Sequence, residues 1–144
     1  MNDLPQIIQG GQYKDVRGTL SFINDFAVDE VKRFYIVGHP DTSIVRAWQG
    51  HKEEQKWFFA LEGSFKMILV RPDNWESPSA ALPLHEFELN ANEVQILHVP
   101  KGYASGFKAL EPDSRLMVFS DRTLQESLDD DYRFAADLWH AWEQ

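Results

Sequence analysis

Short apolar-polar alternations, broken by turn residues, run through most of this chain. TLSFINDF (Thr19–Phe26) alternates as a half-buried strand does. KRFYIVGH, SIVRAWQGH and KWFFALEGSFKMILV are rich in β-branched and aromatic residues, with Gly38, Gly50 and Gly63 as punctuation. Gly63 is placed to turn one strand into the next. RPDNWESPSAALP (Arg71–Pro83) carries three prolines among polar residues and reads as a long surface loop. HEFELNA, EVQILHVP, ASGFKAL and SRLMVFSD continue the strand series. Only FAADLWHAWEQ looks helical, with Leu138, Trp139 and Trp142 spaced to share a face. The acidic run before YRF reads as a solvated turn with a helix start, and the final tryptophans are too apolar for a free tail. They are expected to dock on the body of the protein or on a second subunit. Many short strands at regular spacing predict an all-β sandwich or jelly roll, one domain over residues 1–144, with an open mouth where a ligand can bind.

Length and composition narrow the function. A chain of 144 residues can bury about 68–70% of its unfolded surface and needs no covalent staple. It has no cysteine, which removes disulfides, iron–sulfur clusters and thiolate zinc sites and suits a reducing cytoplasm. MNDLPQIIQGG has no basic stretch followed by an apolar run, so no signal peptide is expected. No apolar run reaches the roughly 18 residues of a membrane span. The formal net charge of −9 argues against nucleic acid and anionic membranes as partners. An anionic small ligand would need arginines gathered locally.

Two stretches carry a family resemblance. YKDVRGTLSFINDF, KRFYIV and RAWQGHK resemble the D-x-R-G-x-L, K-R-x-Y and R-G-x-H-x-H-K segments of dTDP-4-keto-6-deoxyglucose 3,4-ketoisomerases. EQKWFFALEGSFKMILV, SPSAALP and PKGYASGF resemble the Q-x-K, S-P-T and P-x-G-x-A-H-G-F segments of dTDP-4-dehydrorhamnose 3,5-epimerases. The matches span roughly residues 10–121. The resemblance implies a small cupin of the sugar-nucleotide isomerase and epimerase group, including its WxcM-like members: an all-β, cupin-type jelly-roll barrel, here with a short C-terminal helix.

The stretch RAWQGHKEEQKW poses the chemical question. Metal-binding cupins use H-x-H-x(3,4)-E and a later histidine, a donor set that suits iron, nickel, manganese or zinc. Here Gln49 holds the first position, His51 the second, Gln55 or Glu54 the third and Ser105 the last. One strong donor of four holds no divalent metal tightly, so no metal and no cofactor is expected. His39, His85, His98 and His140 show no paired ligand spacing and are expected at the surface or hydrogen-bonded. A neutral imidazole suits removal of a carbon-bound proton next to a ketone. His51 matches the proposed proton carrier of the resembling ketoisomerases. Gln49 can hydrogen-bond a sugar oxygen but cannot transfer protons. Lys56, which matches the lysine of Q-x-K, and Tyr35, which matches the tyrosine of K-R-x-Y, are candidate donors to a developing enolate.

Epimerases of this group use a histidine at the position of Gln49 and a tyrosine on a late strand. That strand is LMVF (Leu116–Phe119) here and has none. Inversion needs protons handled on two faces, whereas a 1,2-shift needs one mobile base. The resemblance therefore points to a metal-independent 3,4-ketoisomerase acting through His51. A dTDP-4-keto sugar epimerase and a non-catalytic sugar-nucleotide-binding cupin are the alternatives, and a pocket filled by Trp48 or Tyr103 would favour the last. Arg17 and Arg46 match arginines that contact the nucleotide diphosphate in related enzymes, and Arg33 is a third candidate. Trp48 and Tyr103 are candidate stacking surfaces, and Ser105 a candidate sugar contact. Strict alternation puts Arg46 with Trp48 and Gly50, and Gln49 with His51 on the other face, so one pocket holding both Arg46 and His51 needs a bend or bulge. Related enzymes are dimers that share strands, so a homodimer is implied.

Overall fold

The computed structural model describes residues 4–142. Two five-stranded antiparallel sheets face one another. The first runs in the order β1 (Gln6–Gln9), β9 (Gln95–Val99), β6 (Lys56–Glu62), β11 (Ser114–Ser120), β4 (Arg33–His39). The second runs β12 (Tyr132–Arg133), β5 (Val45–His51), β10 (Tyr103–Ala109), β7 (Ser64–Val70), β8 (His85–Asn90). This is the jelly roll expected from the strand pattern. A separate hairpin, β2 (Gly11–Asp15) with β3 (Gly18–Phe22), pairs only with itself.

Alternation along the strands sorts side chains into two cores. Phe65, Met67 and Leu69 of β7 face inward and meet Phe58, Leu97, Leu116 and Val118 between the sheets. Ile68 and Val70 of the same strand face outward and pack with Trp48, Ala104 and Trp139. A strand covered on both faces reads as the near-continuous apolar run FKMILV, and each such side chain contributes about 1.5–3 kcal/mol by leaving water. Gly63 makes the turn between β6 and β7 with φ of +71°, where a Cβ would run into Ser114.

The outer core is roofed by the C-terminal segment, which is not the helix its apolar spacing predicts. Residues 134–142 are irregular. Trp139 and Trp142 close around Trp48, with ring centroids 5.2 and 5.5 Å away, and the Trp139 indole N–H donates to the Ser79 carbonyl at 2.8 Å. The tryptophans therefore dock on the barrel. Their spacing reflects the shape of the Trp48 surface, not a helical face. Residues Glu143 and Gln144 of the expected helix lie outside the described residues. The one α-helix among the described residues is α1 (Leu124–Leu128), upstream of the acidic run. Thr123 and Glu126 start it with a reciprocal capping box. No helix among the described residues is long and apolar enough to cross a membrane.

Candidate active site

The site is made by an irregularity in β5. β5 pairs with β10 from Tyr103↔His51 to Ser105↔Gln49, then resumes at Phe107↔Arg46. Ala47 and Trp48 both stand opposite Gly106, which is a β-bulge. Both also pack on the outer core. Two consecutive outward side chains put Arg46 and Gln49 on the inner face, and His51 follows Gln49 by ordinary alternation. The conflict in the strict strand pattern is thus resolved at Ala47–Trp48 and not at Gly50. Gly106 makes the bulge possible. A Cβ there would lie 2.8 Å from Trp48 and 2.9 Å from Ala47 and Trp142.

A cavity of about 470 Å³ opens on this inner face, between Tyr35, Arg46, Gln49, Lys56 and Ser105. Val118 of β11 lines it. A second hollow of about 230 Å³ shares Tyr35, Gln49, Lys56 and Arg133 and adds Arg33, His51 and Glu54. The two hollows adjoin through these shared residues, and His51 lines the smaller one. Lys56 is 5% exposed and donates to Gln49 Oε1 at 3.2 Å, while Gln49 Nε2 donates to Asp131 at 3.1 Å.

His51 is 4% exposed. Its Nδ1 lies 2.7 Å from the Asp130 carbonyl and 3.3 Å from Glu54 Oε1. Both neighbours are acceptors, which assigns the proton of the neutral ring to Nδ1. Nε2 is then the lone-pair nitrogen, and it is buried with no hydrogen-bond partner. Burial, and next the Lys56 ammonium, push the imidazole pKa below its ordinary value. Glu54, the Asp130 carbonyl and the Asp130 carboxylate oppose them without reversing the direction. A neutral imidazole with a bare nitrogen at a cavity is what proton abstraction requires. Asp130 also fixes the chain after His51, because its carboxylate accepts the backbone N–H groups of Lys52, Glu53 and Glu54 at 2.8, 2.9 and 2.9 Å.

The other sequence candidates fall into three groups. Arg46 stands on the rim of the larger cavity, and Arg33 lines the smaller one, where its Nη2 donates to Ser127 at 2.8 Å. Trp48 borders the cavity, but its ring belongs to the outer core and its indole N–H already donates to the Ala136 carbonyl at 3.1 Å. Tyr103 is corrected outright. It lies 3% exposed in the inter-sheet core with Arg71 over its ring, and it lines neither hollow. Neither aromatic fills the pocket. Arg17 is a second correction, because it does not converge with Arg46 within the chain. It sits at the tip of the free-standing hairpin, 83% exposed and ion-paired to Asp15 at 2.6 Å. His39 is a third. It is neither at the surface nor hydrogen-bonded: it is 1% exposed and both ring nitrogens lack partners.

Sequence reasoning missed Glu54 as anything but a metal slot, and missed Asp130, Asp131 and Arg133 altogether. The acidic run was expected to be solvated. Asp130 is buried because three backbone donors converge on it, and nothing local in DDD marks which aspartate that will be. Among the described residues, no group of three His, Cys, Asp or Glu side chains is placed to hold a metal ion.

The family described as WxcM-like, C-terminal, matches residues 1–138. The chain belongs to that family. No curated protein matches it significantly in sequence. Among solved structures, this WxcM-like chain is similar to the dTDP-4-dehydrorhamnose 3,5-epimerase of Bacillus anthracis str. Ames with TDP and PPi bound. The TM-score is 0.76 at 18% identity, over 92% of this chain and 79% of that one. It is similar to a variant of the 3,4-ketoisomerase QdtA of Thermoanaerobacterium thermosaccharolyticum in complex with TDP-4-keto-6-deoxyglucose. There the TM-score is 0.72 at 23% identity, over 93% and 90% of the two chains. The WlaRB TDP-quinovose 3,4-ketoisomerase of Campylobacter jejuni gives 0.70 at 20% identity, over 93% and 95%. At these identities the likeness establishes the cupin-type jelly roll.

Proposed function

We propose that this WxcM-like protein is a metal-independent isomerase that moves the carbonyl of a dTDP-4-keto-6-deoxyhexose from C4 to C3. The observation that carries the reading is the bare, buried Nε2 of His51 beside an open polar cavity. In the reaction Nε2 takes the proton from C3, whose electron pair makes the C3–C4 double bond of an enediolate. The same proton, or one exchanged with water, is returned to C4, and the hydroxyl proton passes from O3 to O4. Lys56 and Tyr35, which line the cavity, are the candidate donors to the oxygen on which charge develops, and Gln49 and Ser105 the candidate contacts to sugar hydroxyls. A cavity of about 470 Å³ lies within the roughly 300–1,000 Å³ usual for small-ligand sites.

Arg46 on the rim and Arg33 are the chain's own candidates for the diphosphate. Arg17 can join them from the hairpin of a second subunit. Such a homodimer would also cover Tyr13, Leu20 and Phe22, which are 59%, 62% and 38% exposed on that hairpin. Cytoplasmic synthesis of surface-polysaccharide sugars is the setting this reaction fits. Incubation with dTDP-4-keto-6-deoxyglucose in deuterium oxide, followed by proton NMR, tests the reading. A product with its carbonyl at C3 supports it. Exchange at C3 and C5 with the carbonyl still at C4 would mark an epimerase, and binding without exchange a non-catalytic cupin.

A further inference from the structure

Glu54 presents a problem that the proposed reaction leaves open. Its carboxylate is completely buried, with 0% side-chain exposure. Burying a charge is costly unless it is paired, and the permanent cation beside it, Arg33, stands only at the outer limit of an ion pair. Arg33 Nη2 is 4.0 Å from Oε2, and the nearest donor is the Ser120 hydroxyl at 2.6 Å. The other oxygen, Oε1, has no hydrogen-bond partner and points at His51 Nδ1 from 3.3 Å. The carboxylate is therefore held by β11 against the one ring that would become cationic during turnover.

We infer that Glu54 is the positioning residue and charge partner of His51: the Asp130 carbonyl accepts from Nδ1–H, and the Glu54 carboxylate, 3.3 Å from Nδ1, stabilises the imidazolium formed when Nε2 takes up the substrate's carbon-bound proton. The inference rests on the isomerase reading above. Other charged and titratable groups lie around the same ring and hollow. Lys56 of β6 opposes protonation. Asp130 and Asp131 approach from the segment after α1, Arg33 and Tyr35 from β4, and Arg133 from β12. Glu54 is the buried carboxylate set to offset Lys56 at Nδ1. The Asp130 carboxylate is already committed to three backbone donors.

Glu54→Gln keeps the shape while removing the charge, and leaves the Asp130 carbonyl to accept from Nδ1–H. The His51 ring is followed by nitrogen-detected NMR titration without substrate. Its midpoint is expected to fall by about 1 pH unit or more, the usual size for loss of an opposite charge at this range. In turnover, kcat is expected to fall roughly 10-fold because the base is weaker, with KM almost unmoved. An unchanged midpoint in the folded variant would overturn the inference. The wild-type spectra give a check that does not depend on the variant folding. Above the midpoint the ring should carry its proton on Nδ1, and a proton on Nε2 would also overturn the inference. A wild-type protein that binds the keto sugar without converting it would sink the isomerase reading while the titration still judged the Glu54–His51 pair. An active enzyme whose titration ignores Glu54→Gln would sink only the pair.

Discussion

Gly106→Ala probes the bulge that assembles the site. The added methyl would meet Trp48 at 2.8 Å, and Ala47 and Trp142 at 2.9 Å, when ordinary contact begins near 3.4 Å. None of the three can yield cheaply. Trp48 is 1% exposed and wedged between Trp139 and Trp142, and Ala47 is part of the bulge itself. Relief requires β5 and β10 to part by about half an ångström or the C-terminal roof to lift. Overpacking of this kind costs about 1–3 kcal/mol. The displacement falls on the residues that turn Arg46 and Gln49 to one face, so dTDP affinity should fall as well. Urea denaturation followed by tryptophan fluorescence measures the first effect, and calorimetry with dTDP the second. A variant as stable as the wild type, binding dTDP equally well, would refute the argument that Gly106 is required for the close approach of β5 and β10.

His51→Asn should lower turnover by roughly 10²–10⁴-fold, the range for a lost general base, with nucleotide binding nearly intact; full activity would make the histidine a bystander. Arg46→Ala should weaken dTDP binding by about 1.5–3 kcal/mol for a lost charged hydrogen bond, and Arg17→Ala should do so only if the hairpin reaches a partner's cavity; equal calorimetric affinities would remove both from the site. Purified protein should hold far less than one equivalent of transition metal by mass spectrometry, with a melting temperature indifferent to chelator, because Gln49 and Ser105 replace strong donors; stoichiometric metal on His51 would contradict this. His39 lies between Phe65 and Phe107, and burial, followed by the Arg46 charge, holds its pKa below the ordinary 6.5. The unfolded chain therefore takes up a proton first. The stability linked to His39 is complete above about pH 6.5 and is lost as the pH falls from there toward the lowered folded value. Melting of His39→Leu should accordingly fall less between pH 7.5 and 5 than melting of the wild type, and parallel curves would show that the ring does not matter.

The strands from Arg33 to Ser120 were legible because each satisfies its local pattern. Gly63 turns where a turn glycine is needed, and FKMILV is apolar because both its faces are covered. The elements that escaped notice are those whose conformation is set by distant partners. QIIQ is a strand because β9 offers it an edge, with Gln6↔His98 through Gln9↔Gln95 in register. Tyr132–Arg133 is a strand because β5 has an open edge at Gln49 and Gly50. Leu138, Trp139 and Trp142 are spaced for a helix but shaped by Trp48. The true helix carried a readable signature in Thr123 and Glu126. The centre of the site, Gln49 to Lys56, was legible through family resemblance. Its support was not, since Asp130 and Glu54 act from 79 and 3 positions away on the same ring nitrogen. Arg46 shows the limit most clearly: only the bulge, which depends on Gly106 across the sheet, brings it to the face of His51.

The most direct measurement uses dTDP-4-keto-6-deoxyglucose deuterated at C3. Ring-proton NMR should show the label leaving C3 as the carbonyl arrives there, with the C5 proton untouched and the conversion slowed by the isotope. The same substrate should be inert with His51→Asn. A label retained at C3 by an active enzyme, or loss of the C5 proton with the carbonyl still at C4, would contradict proton transfer through His51.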